Sequence, residues 1–242
     1  MAYSNKIAII GASNLGNQIG QLFSKADFMV IHTKAGFAQE MFDAALIVEV
    51  LDSGLERKKQ VLSECAREAL PQTILATVTP GVVTEIGTAT GKPEMVLGAN
   101  FIFNPFAEKC LVQLARGLET TAETIDNVKS VVEKTGAMAI VVADLPGLIV
   151  DRVIATAINE AAIIATTNTA SREDIDKITK LCLNWPMGPF EFADYLGIDY
   201  VVGILEAAAK EAPKYLPCRL LRDMVSAGRL GRKTGKGFYQ YG

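Results

Sequence analysis

The chain changes its hydrophobic period once, and that change limits it to a small set of folds. From Lys6 to Ala143 short apolar runs alternate with helical patterns; beyond Leu145-Pro146-Gly147 the period is helical to the end. Alternating strand and helix patterns predict a mostly parallel sheet with helices packed on it, an α/β Rossmann-like arrangement. We therefore expect an α/β domain over 1–144 and an all-helical domain over 145–242. Strands are expected at Lys6–Ile10, Phe28–Thr33, Ala45–Leu51, Thr73–Thr77, Met95–Asn100, Leu111–Ala115 and Ala137–Ala143. Helices are expected at Asn14–Lys25, Leu55–Leu70 and Val82–Ala89, and Thr120-x-x-Glu123 reads as the capping box of a further one. In the second half, Ile149, Val153, Ala157, Ala161 and Ile164 form one apolar stripe, and Ser171-x-x-Asp174 starts a helix that carries Ile175, Ile178 and Leu181 inward.

Composition excludes several classes. With 50% hydrophobic and 21% charged residues in 242, the chain builds a packed core, and disorder, collagen and coiled coil are excluded. The longest obvious apolar run, Ala137 to Ala143, is too short to cross a membrane, and the N-terminus carries no signal-peptide pattern. Cys65, Cys110, Cys182 and Cys218 lie far apart and His32 is the single histidine, so no zinc site is expected. These features predict a cytoplasmic protein with reduced thiols in or near the core and no membrane partner. Arg229, Arg232, Lys233 and Lys236 form a local basic cluster in a chain of net charge −3, which argues against nucleic acid. The glycines among them are expected to shape turns that pack Phe238 and Tyr239 onto helices.

Gly11-Ala-Ser-Asn-Leu-Gly16 lies between a strand and a helix, where a dinucleotide-binding turn would sit. There the helix N-terminus offers unpaired N–H groups and a positive dipole end to a pyrophosphate. The middle glycine of such turns is Ser13 here, whose Cβ crowds that approach. Gly11 and Gly16 therefore have two readings: nucleotide binding, or close packing of strand against helix. An acid ending the second strand would hold the adenosine ribose; the sequence there is Ile31-His32-Thr33-Lys34, with no acid. His32 could donate to a ribose oxygen, and a solvated strand end is the alternative.

From Ala45 onward the chain resembles the 3-hydroxyacyl-CoA dehydrogenase family. The resemblance rests on Ile47-Val-Glu-Val50, Leu55-Glu-Arg-Lys-Lys59, Ile74-Leu-Ala-Thr77 and Phe103-Asn-Pro105. It continues in Leu145-Pro-Gly-Leu-Ile-Val-Asp-Arg152, Pro186-Met-Gly-Pro-Phe-Glu191 and Gly228-Arg-Leu-Gly-Arg-Lys-Thr-Gly-Lys-Gly-Phe-Tyr239. It implies a nucleotide-binding domain, a helical domain that forms a homodimer, and hydride transfer from a (S)-3-hydroxyacyl-CoA to NAD. It also implies a histidine base oriented by a glutamate. Here the histidine position falls on Asn100, or on Phe101 counted from the other side, and the glutamate on Gln113. The family's serine falls on Pro80, and its asparagine after Pro-Gly-Phe-Ile-Val falls on Asp151. Asn104 alone is retained. Glu49 joins Gly11, Ser13 and Gly16 as the candidate cofactor positions. The segment Lys34 to Ala44 is several tens of residues shorter than the family's, which removes a CoA-binding hairpin and a strand.

Three readings follow. A working dehydrogenase would need a substitute base, from Asp151 or Glu108, although Asp151 also reads as the partner of Arg152 or another cation near a helix start. A non-catalytic relative would keep the fold for association, as a homodimer or with an active relative, with dehydrogenase activity absent or greatly reduced. A third is acyl-CoA chemistry without NAD, in which Asn100, Asn104 and Gln113 bind a thioester carbonyl as amide donors. The second matches the concentration of changes at the site.

Overall fold

Strand β1 (Lys6–Ile10) alternates its side chains between two cores. Ile7 and Ile9 enter the core shared with α1 (Asn14–Ser24) and α4 (Ala122–Glu133). Ala8 and Ile10 enter the one shared with α2 (Leu55–Glu68) and α3 (Val83–Thr90). Burial on both faces is why this strand reads as an unbroken apolar run. The computed structural model describes residues 4–78, 81–103 and 110–242. It divides into two compact units, Met1–Leu148 and Ile149–Gly242. The first extends past Asp144 because Leu148 is buried in the α2/α3-side core.

The other strands of the first unit are β2 (Met29–Thr33), β3 (Leu46–Glu49), β4 (Ile74–Thr77), β5 (Val96–Phe103), β6 (Cys110–Arg116) and β7 (Met138–Ala143). Among the described residues they form one sheet in the order β2-β1-β3-β4-β5-β6-β7. Neighbours are parallel throughout except for β5 and β6, which are antiparallel. The expected mostly parallel α/β sheet is therefore present. From β2 to β3 the chain crosses β1 in residues 34–45, about the minimum that a parallel crossover needs. One 3₁₀ turn, Gln39–Met41, serves in place of a helix; Met41 is fully buried, and Phe42 O accepts from Leu70 N at 2.9 Å.

The cap of α4 is Thr121 rather than Thr120. Thr121 accepts from Thr124 N, while buried Thr120 accepts from Gly117 N and donates to Val96 O. Its hydroxyl is committed to holding the preceding turn.

The second unit contains α5 (Val150–Thr166), α6 (Arg172–Leu183), α7 (Pro189–Leu196), α8 (Ile198–Ala209) and α9 (Arg219–Ser226). Its core is built on Ala155, Ile158, Phe190, Val201, Leu205 and Phe238. The expected stripes are only partly inside. Ala161 and Ile175 are buried, but Ile149, Val153, Ile178 and Leu181 are exposed. Helix α6 is turned so that Asp176, not Ile178, faces inward, because its carboxylate caps α7 by accepting from Phe190 N at 2.9 Å and Glu191 N at 3.2 Å. The C-terminal segment folds back as expected: Phe238 packs on Phe190, with ring centroids 4.5 Å apart. Buried Asp194 holds it, accepting from Phe238 N and Tyr239 N at 2.8 Å and Tyr241 OH at 3.0 Å. Gly237 is required there, since a Cβ would stand 1.9 Å from Asp194 Oδ1.

Of the thiols, Cys65 and Cys110 are buried, Cys218 is half-buried and Cys182 is exposed on α6, outside the core that the sequence suggested. No helix among the described residues is long and apolar enough to cross a membrane.

Candidate functional site

The C-terminal edge of the parallel strands carries most of the candidate residues. Ligands bind at this edge in open α/β sheets, where the strand order reverses; here that point lies between β1 and β3. Gly11 leaves β1 with φ +133°, a conformation that favours glycine. A Cβ on it would stand 2.8 Å from Val50 O, and one on Gly16 would stand 2.9 Å from Val50 Cγ2. Both glycines are thus required by the chain's own packing. Ser13 is the N-cap of α1, its Oγ accepting from Gly16 N at 3.1 Å. His32 is exposed, but its Nε2 is engaged by Gly11 O rather than left for a ribose.

Glu49 ends β3 with no solvent exposure. Its carboxylate accepts from Leu51 N at 2.6 Å, Lys58 Nζ at 2.9 Å and Thr77 Oγ1 at 2.8 Å. Lys58, itself buried, also donates to Leu51 O at 2.6 Å. The network staples β3, β4 and α2 and leaves Glu49 enclosed by protein donors, which argues against its cofactor role.

The register pairs Asn100 on β5 directly with Gln113 on β6, and Gln113 with Ile140 on β7. Directly opposed residues share a face, with Cβ atoms about 5 Å apart. Phe101, the other position to which the family histidine can be counted, is buried against Phe23 with centroids 6.1 Å apart. The strand register sets Asn100, half-buried, beside buried Gln113. Neither amide can accept a proton at neutral pH. Pro80, Asn104 and Glu108 lie outside the described residues.

Asp151 sits in the first turn of α5 and accepts from Tyr200 OH at 2.8 Å. Burial, reinforced by that carboxylate, pushes the Tyr200 phenol up, so it stays protonated. Arg152 does not pair with Asp151; it bonds Glu211 at 2.8 Å and lies over the Tyr215 ring. A groove of about 330 Å³ lies beside α5, lined by apolar side chains including Ile149, Val153, Ile154, Trp185, Pro186 and Phe192. No pattern in the sequence pointed to a role for Asp144, which follows β7. Its carboxylate accepts from Gly81 N at 2.6 Å and Val83 N at 2.8 Å, and burial raises its pKa above the usual carboxylate value.

Two family models cover most of the chain. The 3-hydroxyacyl-CoA dehydrogenase NAD binding domain matches residues 31–145, and the C-terminal domain of the same family matches 147–241. The chain belongs to the 3-hydroxyacyl-CoA dehydrogenase family. It is 38% identical to a probable 3-hydroxybutyryl-CoA dehydrogenase of Bacillus subtilis over 206 residues, 84% of this chain and 71% of that one. It is 31% identical to the 3-hydroxybutyryl-CoA dehydrogenase of Bradyrhizobium diazoefficiens, covering 99% of this chain and 96% of the relative. That alignment runs over 283 positions, so a chain of 242 residues carries gaps of at least 41. A crystal structure of (S)-3-hydroxybutyryl-CoA dehydrogenase from Ralstonia eutropha superposes with TM-score 0.91 at 27% identity, covering 99% of each chain.

The family's NAD-binding domain makes NAD the cofactor to test against these residues. The strand–turn–helix frame is in place, but a cap hydroxyl already binds Gly16 N, an imidazole binds Gly11 O, and the end of β2 offers no acid. These side chains do not fit the dinucleotide in the way such turns hold it.

Proposed function

We propose that this member of the 3-hydroxyacyl-CoA dehydrogenase family has absent or greatly reduced dehydrogenase activity and serves as an associating, non-catalytic subunit. One observation carries the reading. The chain's single histidine, His32, lies on β2, four strands along the sheet from Asn100 on β5, about 19 Å at ordinary strand spacing. No imidazole of this unit therefore reaches the Asn100–Gln113 pair. Losing a positioned general base alone costs about 10²–10⁴ in rate. Asp151, engaged by Tyr200, is a poor substitute.

Association is supported by the helical unit. Ile149, Val153 and Ile163 on or beside α5, and Ile178, Leu181 and Leu183 on α6, are exposed apolar side chains. Surfaces of that kind mark contact sites. We assign them to a homodimer or to pairing with an active relative, and place the protein in the cytoplasm. An acyl-CoA remains a candidate ligand, its carbonyl meeting the amides of Asn100 and Gln113.

The test is a calorimetric titration with NAD, NADH and acetoacetyl-CoA, with NADH absorbance followed in the same samples and sedimentation run in parallel. No turnover from an associated species is the expected result. Turnover at rates ordinary for dehydrogenases would overturn the proposal and direct attention to Asp151→Asn and Glu108→Gln.

A further inference from the structure

We infer that the dinucleotide turn is closed from within: Ser13 occupies a backbone N–H, and Ser13 and His32 the space, that a pyrophosphate-bearing nucleotide would use. The inference rests on the non-catalytic reading above and gives it a physical cause at the cofactor end of the site.

A nucleotide phosphate binds such a turn through N–H groups in the first turn of the helix, which have no partner within the helix. In this chain one of them, Gly16 N, is already taken by Ser13 Oγ at 3.1 Å. The serine supplies both an internal acceptor and the Cβ that crowds the approach. On the second side stands His32. A carbonyl oxygen only accepts, so the Nε2 that bonds Gly11 O carries a hydrogen, in the neutral and the charged imidazole alike. That contact ties the end of β2 to the turn after β1 and sets Nε2 3.3 Å from where a Cβ on Gly16 would stand. The ring therefore lies against the first turn of α1. The third side is filled by Val50, whose carbonyl and γ2 methyl crowd Gly11 and Gly16. Two side chains, the Ser13 hydroxyl and the His32 ring, thus stand at the first turn of α1, and both glycines are committed to packing against Val50. The match to the NAD-binding family model is consistent with this, since it begins at Ile31, after the turn.

The experiment uses the full chain with NADH fluorescence as readout and ADP as a second probe. It compares the unaltered protein with His32→Ala, Ser13→Gly, the double variant and His32→Gln. Removing the ring and the cap frees Gly16 N and clears the space beside it, and a regained hydrogen bond to a phosphate is worth about tenfold in affinity. The double variant is therefore expected to bind NADH at least about tenfold more tightly than the unaltered chain, which does not saturate. His32→Gln, whose amide still donates to Gly11 O, should remain closed. Circular dichroism checks the fold, and His32→Ala, at an exposed position, carries the test if the double variant does not fold.

Micromolar NADH binding by the unaltered chain overturns the inference. So does a folded double variant that binds no better, or a His32→Gln variant that opens like His32→Ala. Acetoacetyl-CoA turnover, measured separately, keeps the two proposals apart. An opened variant that binds NADH without turnover supports both. An unaltered chain that binds without turnover refutes only the closure.

Discussion

Replacing Lys58 with Met should destabilise the α/β unit strongly, and most of that loss should be recovered by neutralising Glu49. Glu49 has no solvent exposure and is held by three donors, of which only Lys58 is charged. The Lys58→Met stem fills much the same space, so packing changes little. What remains is a buried carboxylate with two neutral partners, and breaking a buried pair in this way costs about 3–5 kcal/mol. In Lys58→Met/Glu49→Gln the charge is gone and the amide oxygen still accepts from Leu51 N or Thr77 Oγ1. Its cost should fall to about 1–2 kcal/mol, the residue of one imperfectly met hydrogen bond. The second substitution should thus recover about 2–3 kcal/mol, which marks the two positions as members of one network.

Trp185 makes the assay selective. It is the chain's only tryptophan and lies in the helical unit, so its fluorescence follows that unit. Far-UV circular dichroism and hydrogen exchange at β3, β4 and α2 follow the other. For a unit of this size each kcal/mol shifts Tm by about 2–4 °C, so the single variant should lose about 6–20 °C and the double variant about 2–8 °C. The Trp185 transition should stay where it is. A Lys58→Met protein within about 1 kcal/mol of the parent, or a double variant no better than the single one, would show that the pair is not the staple described.

Gly237→Ala should displace Asp194 and release Phe238 and Tyr239, lowering stability by at least about 2 kcal/mol, read from Trp185 melting and faster proteolysis of the C-terminal segment. Burial raises the Asp144 pKa, so the folded chain binds that proton more readily than the unfolded one. Its stabilising contribution is present at low pH and fades as pH rises through the folded value. Asp144→Asn removes it, and the variant should lose stability faster than the parent as pH drops from neutral towards ~4; parallel slopes in acid-dependent melts would count against the assignment. Alkylation of the folded protein should mark Cys182 first. Burial pushes Cys65 up to about 12 and Cys110 up to about 11, so both should stay unmodified until the α/β unit unfolds, as peptide mass spectrometry can check.

How much of this was legible in the sequence follows from what each residue answers to. Runs such as Ile7–Ile10 and Leu46–Val48 are buried on both faces, and nothing but a central parallel strand accommodates them, so the α/β sheet could be read directly. Ile178 and Leu181 were misplaced because periodicity identifies an apolar face without saying what meets it. The rotation of α6 is set by the Asp176 carboxylate at the start of α7, and hydropathy places an aspartate outside. Asp194 escaped notice for the same reason. At the site, counting along the chain left Asn100 and Phe101 as equal claimants to one position. Strand register puts them on opposite faces, since successive residues of a strand point to opposite sides. Asn100 stands opposite Gln113 and Phe101 lies in the core, so the positions to which the family's acid–base pair was counted carry two facing amides and no imidazole. Amides bind carbonyls and hold water, but they do not take protons at neutral pH. The surroundings are intact: Gln113 is enclosed and the sheet beneath it is continuous. Enclosed walls lined by amides suit holding a ligand in place better than moving its protons, which is why the non-catalytic reading was proposed.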